Sequence, residues 1–258
     1  MVSDSNKSFS RVAAVDNAID LLLLLSNNNE RSIRELGEYL NLTKSTLHRT
    51  LQTLENRGFV KQDSITKKYS LGYKILELSI NLKSQNELRN LALIYMKELR
   101  DRLGDTVQLA ILNEGEILII ETVEGTKELR VFSKAGQTLP LTYGNFGKIF
   151  LSHMEEEAIL HNIEKSPLKS YASNSIVNKE SYLEELKIVK ERGISVSIDD
   201  PIDGAISMAV PIFNKGGRVI ASLSIVGAKT PHLVENRLEI EDLMKQTGAK
   251  ITEKVNRS

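Results

Sequence analysis

Residues 42–71 read LTKSTLHRTLQTLENRGFVKQDSITKKYSL. Thr43 offers a hydroxyl at the position where a helix needs a cap. Leu47, Leu51 and Leu54 then recur at four- and three-residue steps, which makes one buried stripe of a helix. Turned away from that stripe are Lys44, Ser45, His48, Arg49 and Gln52, with Thr43 and Thr46 at the helix start. Gly58 suits the left-handed residue that ends a helix. Phe59 to Gln62 and Tyr69 to Leu71 read as two short strands, joined by a polar turn that carries Lys67 and Lys68 at its tip.

Upstream, Val12, Val15, Ile19, Leu22 and Leu23 predict an amphipathic helix over 12–26 whose apolar stripe they form, stopped by Asn27, Asn28 and Asn29. Ser32-Ile33-Arg34-Glu35 has the spacing of a capping box. The short helix it opens turns Ile33, Leu36 and Leu40 inward, and Asn41-Leu42 makes the next turn. Helix, helix, turn, helix and a hairpin with a basic tip outline a winged helix-turn-helix. A major groove admits one helix, and the side chains of Thr43, Lys44, Ser45, Thr46, His48, Arg49 and Gln52 suit base edges and phosphates. Lys67 and Lys68 would reach the backbone or a minor groove. Any one of these residues fits an ordinary polar surface equally well. Their ordered combination within sixty residues favours duplex DNA.

Charge supports the same division. The 258 residues carry 34 basic and 34 acidic side chains and no net charge. Residues 43–69 nevertheless hold six Lys or Arg against two Asp or Glu. A basic segment on a near-neutral body suggests a binding module on a carrier. The chain has no cysteine, which excludes disulfides, thiolate catalysis and cysteine-ligated metals. A hydrophobic content of 41% excludes wholesale disorder. The longest aliphatic run, Leu21 to Leu25, is far short of a membrane span. The first ten residues, MVSDSNKSFS, lack a secretory pattern. The expectation is a soluble cytoplasmic protein with no membrane partner.

Downstream, 73–86 reads as a linking helix and 87–103 as a second helix closed by Gly104. Their apolar stripes exceed what an isolated linker needs, so self-association is expected. Strands follow at 106–112 and 117–123, with a third at 129–133. A loop at 141–147 leads into a helix over 146–162, and residues 166–179 form an exposed loop. A helix at 180–192 stops at Gly193. Strands at 194–198, 205–213 and 218–226 precede a closing helix through Ile240, Leu243, Met244 and Ile251. Strands interrupted by helices, with a hairpin near the end, predict an α+β sensor-like domain. The expected division is 1–72, 73–86 and 87–258.

Motifs for enzymatic chemistry are missing. No GxGxxG, GxxxxGK[ST] or GxSxG is present, and Gly144-Asn145-Phe146-Gly147-Lys148 has the wrong spacing for a phosphate loop. The four histidines show no metal-ligand spacing, and Asp199-Asp200 reads as a turn before Pro201. No metal and no cofactor is expected. The rival reading, an enzyme with an N-terminal association domain, needs a perturbed base in a cleft, and no candidate stands out.

The last three strands alternate in a telling way. Ser195 and Ser197, then Ala205, Ser207 and Ala209, then Ser222 and Ser224 share faces opposite bulky Ile, Val, Met and Leu residues. If residues 214–217 close the hairpin, 213 pairs with 218, Ser207 with Ser224, and Ala209 with Ser222. A face of small hydroxyls leaves room for a ligand and offers hydrogen bonds. It equally lets a helix pack close, and both readings stand at this point.

The segments 42–51, 54–60 and 69–72 resemble the IclR family of bacterial transcription regulators. So do Leu139-Pro140-Leu141 through Gly147-Lys148, Arg192-Gly193-Ile194 and residues 204–213. The resemblance implies a winged helix-turn-helix joined by a helix to a GAF-like effector-binding domain, assembled as homodimers or tetramers. It implies a small-molecule effector, an organic, sugar or aromatic acid, contacted at Gly144, Asn145, Ser197, Ser207, Ser224 and Val226. That set coincides with the small-residue faces and favours the pocket reading. Asn145 stands where the family usually has alanine, Ser197 where it has aspartate, and Ser207 where it has cysteine. The implied function is a transcriptional regulator, with repression as the expected sign.

Overall fold

The computed structural model describes residues 12–27, 30–128 and 134–257. Two compact units divide the chain, Met1–Gln85 and Asn86–Ser258.

The first unit opens with α1 (Ala13–Ser26). Its buried residues are Leu21 and Leu25, whereas Val12, Val15, Ile19 and Leu23 are about half or more exposed. The stripe expected from the sequence is therefore not the core face. The helix carries apolar residues on two sides, and the leucine run 21–25 hides which side is buried. α2 (Ile33–Leu40) starts from the expected capping box: Ser32 N–H donates to Glu35 Oε2 at 2.7 Å, and Glu35 N–H to Ser32 Oγ at 3.3 Å. Asn41, at φ 50°, turns the chain into α3 (Lys44–Asn56), which Thr43 caps by accepting from Thr46 N–H. β1 (Val60–Gln62) and β2 (Tyr69–Leu71) pair antiparallel, and Arg31 adds a bridge to Tyr69. Leu21, Leu25, Leu36, Leu47, Leu51, Val60 and Tyr69 form the core. Burying one such side chain contributes roughly 1.5–3 kcal/mol. α4 (Tyr73–Gln85) completes the unit.

The second unit begins with α5 (Glu87–Leu103), capped by Asn86 and closed by Gly104 at φ 74°. β3 (Thr106–Asn113) and β4 (Glu116–Val123) form a hairpin, and β5 (Thr138–Pro140) adds an edge the sequence did not announce. The strand expected at 129–133 lies outside the described residues. α6 (Gly144–Leu151) and α7 (Glu156–Lys165) replace the single helix expected over 146–162. Ser152 Oγ donates to the Ile149 carbonyl at 3.1 Å, and a His153 ring nitrogen lies 3.0 Å from the same oxygen. Those side chains close α6, and α7 restarts with Glu156 and Glu157 in its first turn, where the helix dipole favours them. The loop expected at 141–147 is already helical from Gly144. α8 (Lys179–Arg192), β6 (Ser195–Ile198), β7 (Ala205–Phe213), β8 (Val219–Ala228), α9 (Pro231–Glu235) and α10 (Arg237–Arg257) follow.

The six strands make one antiparallel sheet in the order β5-β4-β3-β8-β7-β6. Its bulky face, including Leu109, Met208, Val210, Leu223 and Ile225, packs on Ala92, Met96 and Leu99 of α5 and on Ile240, Met244 and Ile251 of α10. The other face carries Ala110, Ile117 and Ile119 against Phe146 and Phe150 of α6 and Tyr182 and Leu186 of α8. The β7–β8 register differs from the expected one by two: Ser207 pairs with Val226 and Ala209 with Ser224. Residues 214–218 close the hairpin, one more than expected, and a bulge between Ile212 and Phe213 adds another. An even shift leaves every side chain on its expected face.

Candidate functional site

In the first unit, Lys44, Ser45, His48, Arg49 and Gln52 stand exposed on α3, away from Leu47 and Leu51. Thr43 is exposed too, but its hydroxyl is engaged with Thr46 N–H and Oγ1 and with Ser45 Oγ. Thr46 is half-buried. The hairpin turn is built around Asp63, which accepts from Ile65 N–H, Thr66 N–H and Thr66 Oγ1. Those bonds hold the Asp63 carboxyl below its usual range. They also fix Lys67, at φ 58°, and Lys68, both exposed at the tip. Lys44, Arg49, Lys67 and Lys68 have no salt-bridge partner among the described residues. Basic groups left without acidic partners are suited to phosphates.

In the second unit, Gly144, Asn145, Ser207, Ser224 and Val226 line one cavity together with Gln108, Leu139, Tyr143, Phe146, Pro201 and Ile202. Its volume is about 50 Å³. Ser197 does not line it. α6 is what brings these residues together, and two glycines let it sit there. A Cβ on Gly147 would lie 1.9 Å from the Leu141 carbonyl oxygen, so only glycine permits the close approach. Gly144 has φ 61° and faces the Pro201 ring.

Asn145 occupies much of the space expected for a ligand. Its Oδ1 accepts from Ser195 Oγ at 2.7 Å and Ser197 Oγ at 2.6 Å. Its Nδ2 donates to the Ser207 carbonyl and hydroxyl, both at 2.8 Å. All four hydrogen-bonding positions of the carboxamide are used. The serine face is therefore tied to a closely packed helix, and only Ser207 and Ser224 also border the cavity. The two alternatives posed by the sequence, close helix packing and a ligand face, are realised side by side.

The sequence puts Lys148 in a glycine-containing segment and Asp200 in a turn, and marks neither as a site residue. Lys148, 5% exposed, donates to Ser197 Oγ at 3.1 Å and pairs with Asp200 Oδ2 at 3.3 Å. Asp200 Oδ1 accepts from Ser175 Oγ at 2.7 Å. Asp199 turns the other way, to Lys229 at 2.5 Å and Gly204 N–H at 2.8 Å, which lower its carboxyl. Burial first, then the neighbouring Tyr171 phenol and the negative charge of Asp200, raise the Tyr143 phenol above its usual value. The findable signal was helical spacing: Lys148 follows Gly144 by four and Asn145 by three, which puts all three on one face. Among the described residues, no group of three or more His, Asp or Glu is placed to hold a metal. None of the described helices is long and apolar enough to cross a membrane.

Comparison with known proteins agrees with this arrangement. Residues 14–64 match the model of the IclR helix-turn-helix domain, and residues 81–253 that of the bacterial transcriptional regulator IclR C-terminal domain. The HTH-type transcriptional regulator KdgR of Escherichia coli is 31% identical over 248 residues, covering 96% of this chain and 94% of that protein. A crystal structure of an IclR transcriptional regulator from Alicyclobacillus acidocaldarius superposes with a TM-score of 0.84 at 28% identity, over 95% of this chain and 100% of that one. An IclR homologue of Microbacterium hydrocarbonoxydans, in complex with 4-hydroxybenzoate, shares the fold with a TM-score of 0.83 at 22% identity, over 95% and 100%. These are regulators of transcription rather than enzymes. The chain belongs to the IclR family, as a DNA-binding transcriptional regulator with an N-terminal helix-turn-helix and a C-terminal effector-binding domain.

Proposed function

We propose that this chain is a cytoplasmic repressor whose DNA affinity is set by a small organic or sugar acid. Residues 1–72 bind the operator, 73–86 link, and 87–258 sense. In this reading Lys44, Ser45, His48, Arg49 and Gln52 meet base edges and phosphates. Thr43 and Thr46 meet the DNA at the helix start, and Lys67 and Lys68 meet the backbone. The effector sits against Gly144, Asn145, Ser207, Ser224 and Val226, with Ser197 behind them. The observation that carries it is the cavity where the α6 N-terminus meets the small residues of β7 and β8. Backbone N–H groups at a helix start favour an anion. The 4-hydroxybenzoate held by the Microbacterium homologue supports an acid as effector.

The operator-binding unit is a homodimer, and paired dimers give the tetramer. One recognition helix gives little affinity alone, and two half-sites supply affinity and register. The exposed Val12, Val15, Ile19 and Leu23 of α1 form the apolar surface that fits a second copy. The test is a gel-shift titration against DNA flanking the gene, repeated with small acids found by thermal-shift screening. An acid that releases the DNA supports the reading. Unchanged affinity with every acid that binds the protein refutes it.

A further inference from the structure

A cavity of about 50 Å³ holds a water molecule or two and no organic acid, since ligand pockets run to hundreds of cubic ångströms. An effector therefore needs part of the wall to move. On one side the wall is the start of α6. On the other it is Pro201 and Ile202, in the turn between β6 and β7. Asp200 immediately precedes that wall, and its carboxylate is tied to Lys148 of α6.

The tie differs from the other anchors of the same turn. Asp199 binds Lys229, which is well exposed, and Asp203 binds Ser173 at an exposed position. Lys148 and Asp200 have side chains only 6% and 11% exposed. Ser197 Oγ gives its proton to Asn145 and so accepts from Lys148 as a neutral group. Asp200 is thus the only charged partner of Lys148 among the described residues. An outward swing of the turn would strand a buried ammonium, which is strongly unfavourable unless another anion replaces the carboxylate.

We propose that Asp200 is an internal stand-in for the effector's carboxylate, and that Lys148 is the specificity-determining cation the effector takes over. The inference rests on the effector reading of this cavity. Charge is conserved in the exchange: one carboxylate leaves Lys148 as another arrives. The turn is released outward at the same moment, which gives the effector a differential hold on two states of the unit. The ligand class that follows is a small acid with one carboxylate at Lys148 and hydroxyl or aromatic groups towards Ser207 and Ser224. Neutral amides or esters of the same acids lack the charge that replaces Asp200.

Acetate is a probe that needs no knowledge of the effector. Asp200→Ala leaves Lys148 without its anion and a space where the carboxylate was. Melting temperature is followed against sodium acetate, with sodium chloride at equal ionic strength as control. The expected result for D200A is a saturable rise, about 3–5 °C at ten times the acetate dissociation constant. The K148M/D200A double variant shows no such rise. If D200A does not fold, D200S is titrated in its place, because its hydroxyl can still meet Ser175. Equal acetate responses with and without Lys148, or none in either, overturn the proposal. So does a K148M chain that releases operator DNA at the parent's concentration of an effector acid. That last outcome leaves the effector reading standing, whereas failure of every acid to release DNA from the parent removes that reading itself.

Discussion

Asn145 Oδ1 accepts the Ser197 hydroxyl proton at 2.6 Å, across the gap between the first turn of α6 and strand β6. The same oxygen holds Ser195, and the amide nitrogen holds Ser207 on the neighbouring strand. One side chain thus cross-links a helix to two strands and fills the space it bridges. Three serines and one carboxamide hydrogen-bond one another, as buried polar groups must.

Asn145→Ala should therefore destabilise the second unit by about 1–3 kcal/mol, the cost of leaving buried hydroxyls without partners. The cavity should widen at the same time. Urea denaturation followed by circular dichroism measures the loss. A variant as stable as the parent would show that the carboxamide network contributes nothing.

On the first unit, Arg49→Ala should weaken operator binding by about 1–3 kcal/mol if the guanidinium contacts a base bidentately. Lys67→Ala with Lys68→Ala should weaken all duplexes alike and reduce the salt dependence by about two counterions. Fluorescence anisotropy at several salt concentrations separates the two effects. Unchanged operator binding in a Lys44→Ala, Arg49→Ala double variant would remove α3 as the recognition helix.

The contrast in what was legible has physical causes. Local signals were readable: the Ser32–Glu35 box, the Thr43 cap, the glycine stops at 58, 104 and 193, and the alternation of β7 and β8. Each is written within a few residues of where it acts. Sheet register was off because a five-residue turn at 214–218 and a bulge at Ile212 leave no mark in composition. The buried face of α1 was misread because apolar residues on both sides give periodicity no preferred phase. The helix break at Ser152 depends on side chains returning to the Ile149 carbonyl. Lys148 and Asp200 are 52 residues apart. No local pattern joins them, so only the fold shows that they form a pair.

The exposed α1 stripe carries its own prediction. Val15→Lys with Ile19→Lys should shift the chain towards monomer in sedimentation equilibrium and weaken operator binding. The melting temperature of the first unit should hardly change, because neither residue belongs to its core. Unaltered association would place the self-contact elsewhere.

Asp105 gives a pH-dependent prediction. It is buried immediately before β3, and Lys127 Nζ lies 2.6 Å from its Oδ2. Burial raises the Asp105 carboxyl above its usual value, and the hydrogen bond and charge of Lys127 offset part of that rise. With a folded pKa above the unfolded one, the native state holds the proton more tightly. Stability then falls as pH rises through that window. Lys127→Met removes the offset and leaves a buried carboxylate at neutral pH. The variant should lose about 1–3 kcal/mol at about pH 7, discounted from a fully buried pair because Lys127 is a third exposed. Towards acid pH the carboxyl takes up its proton and the loss should shrink. Adding Asp105→Asn should recover part of the loss at neutral pH, since an amide has no charge to bury. Urea unfolding of the parent and both variants across this pH range decides it. A loss that stays constant, or grows towards acid, would show that Lys127 acts through packing of its stem rather than through its charge.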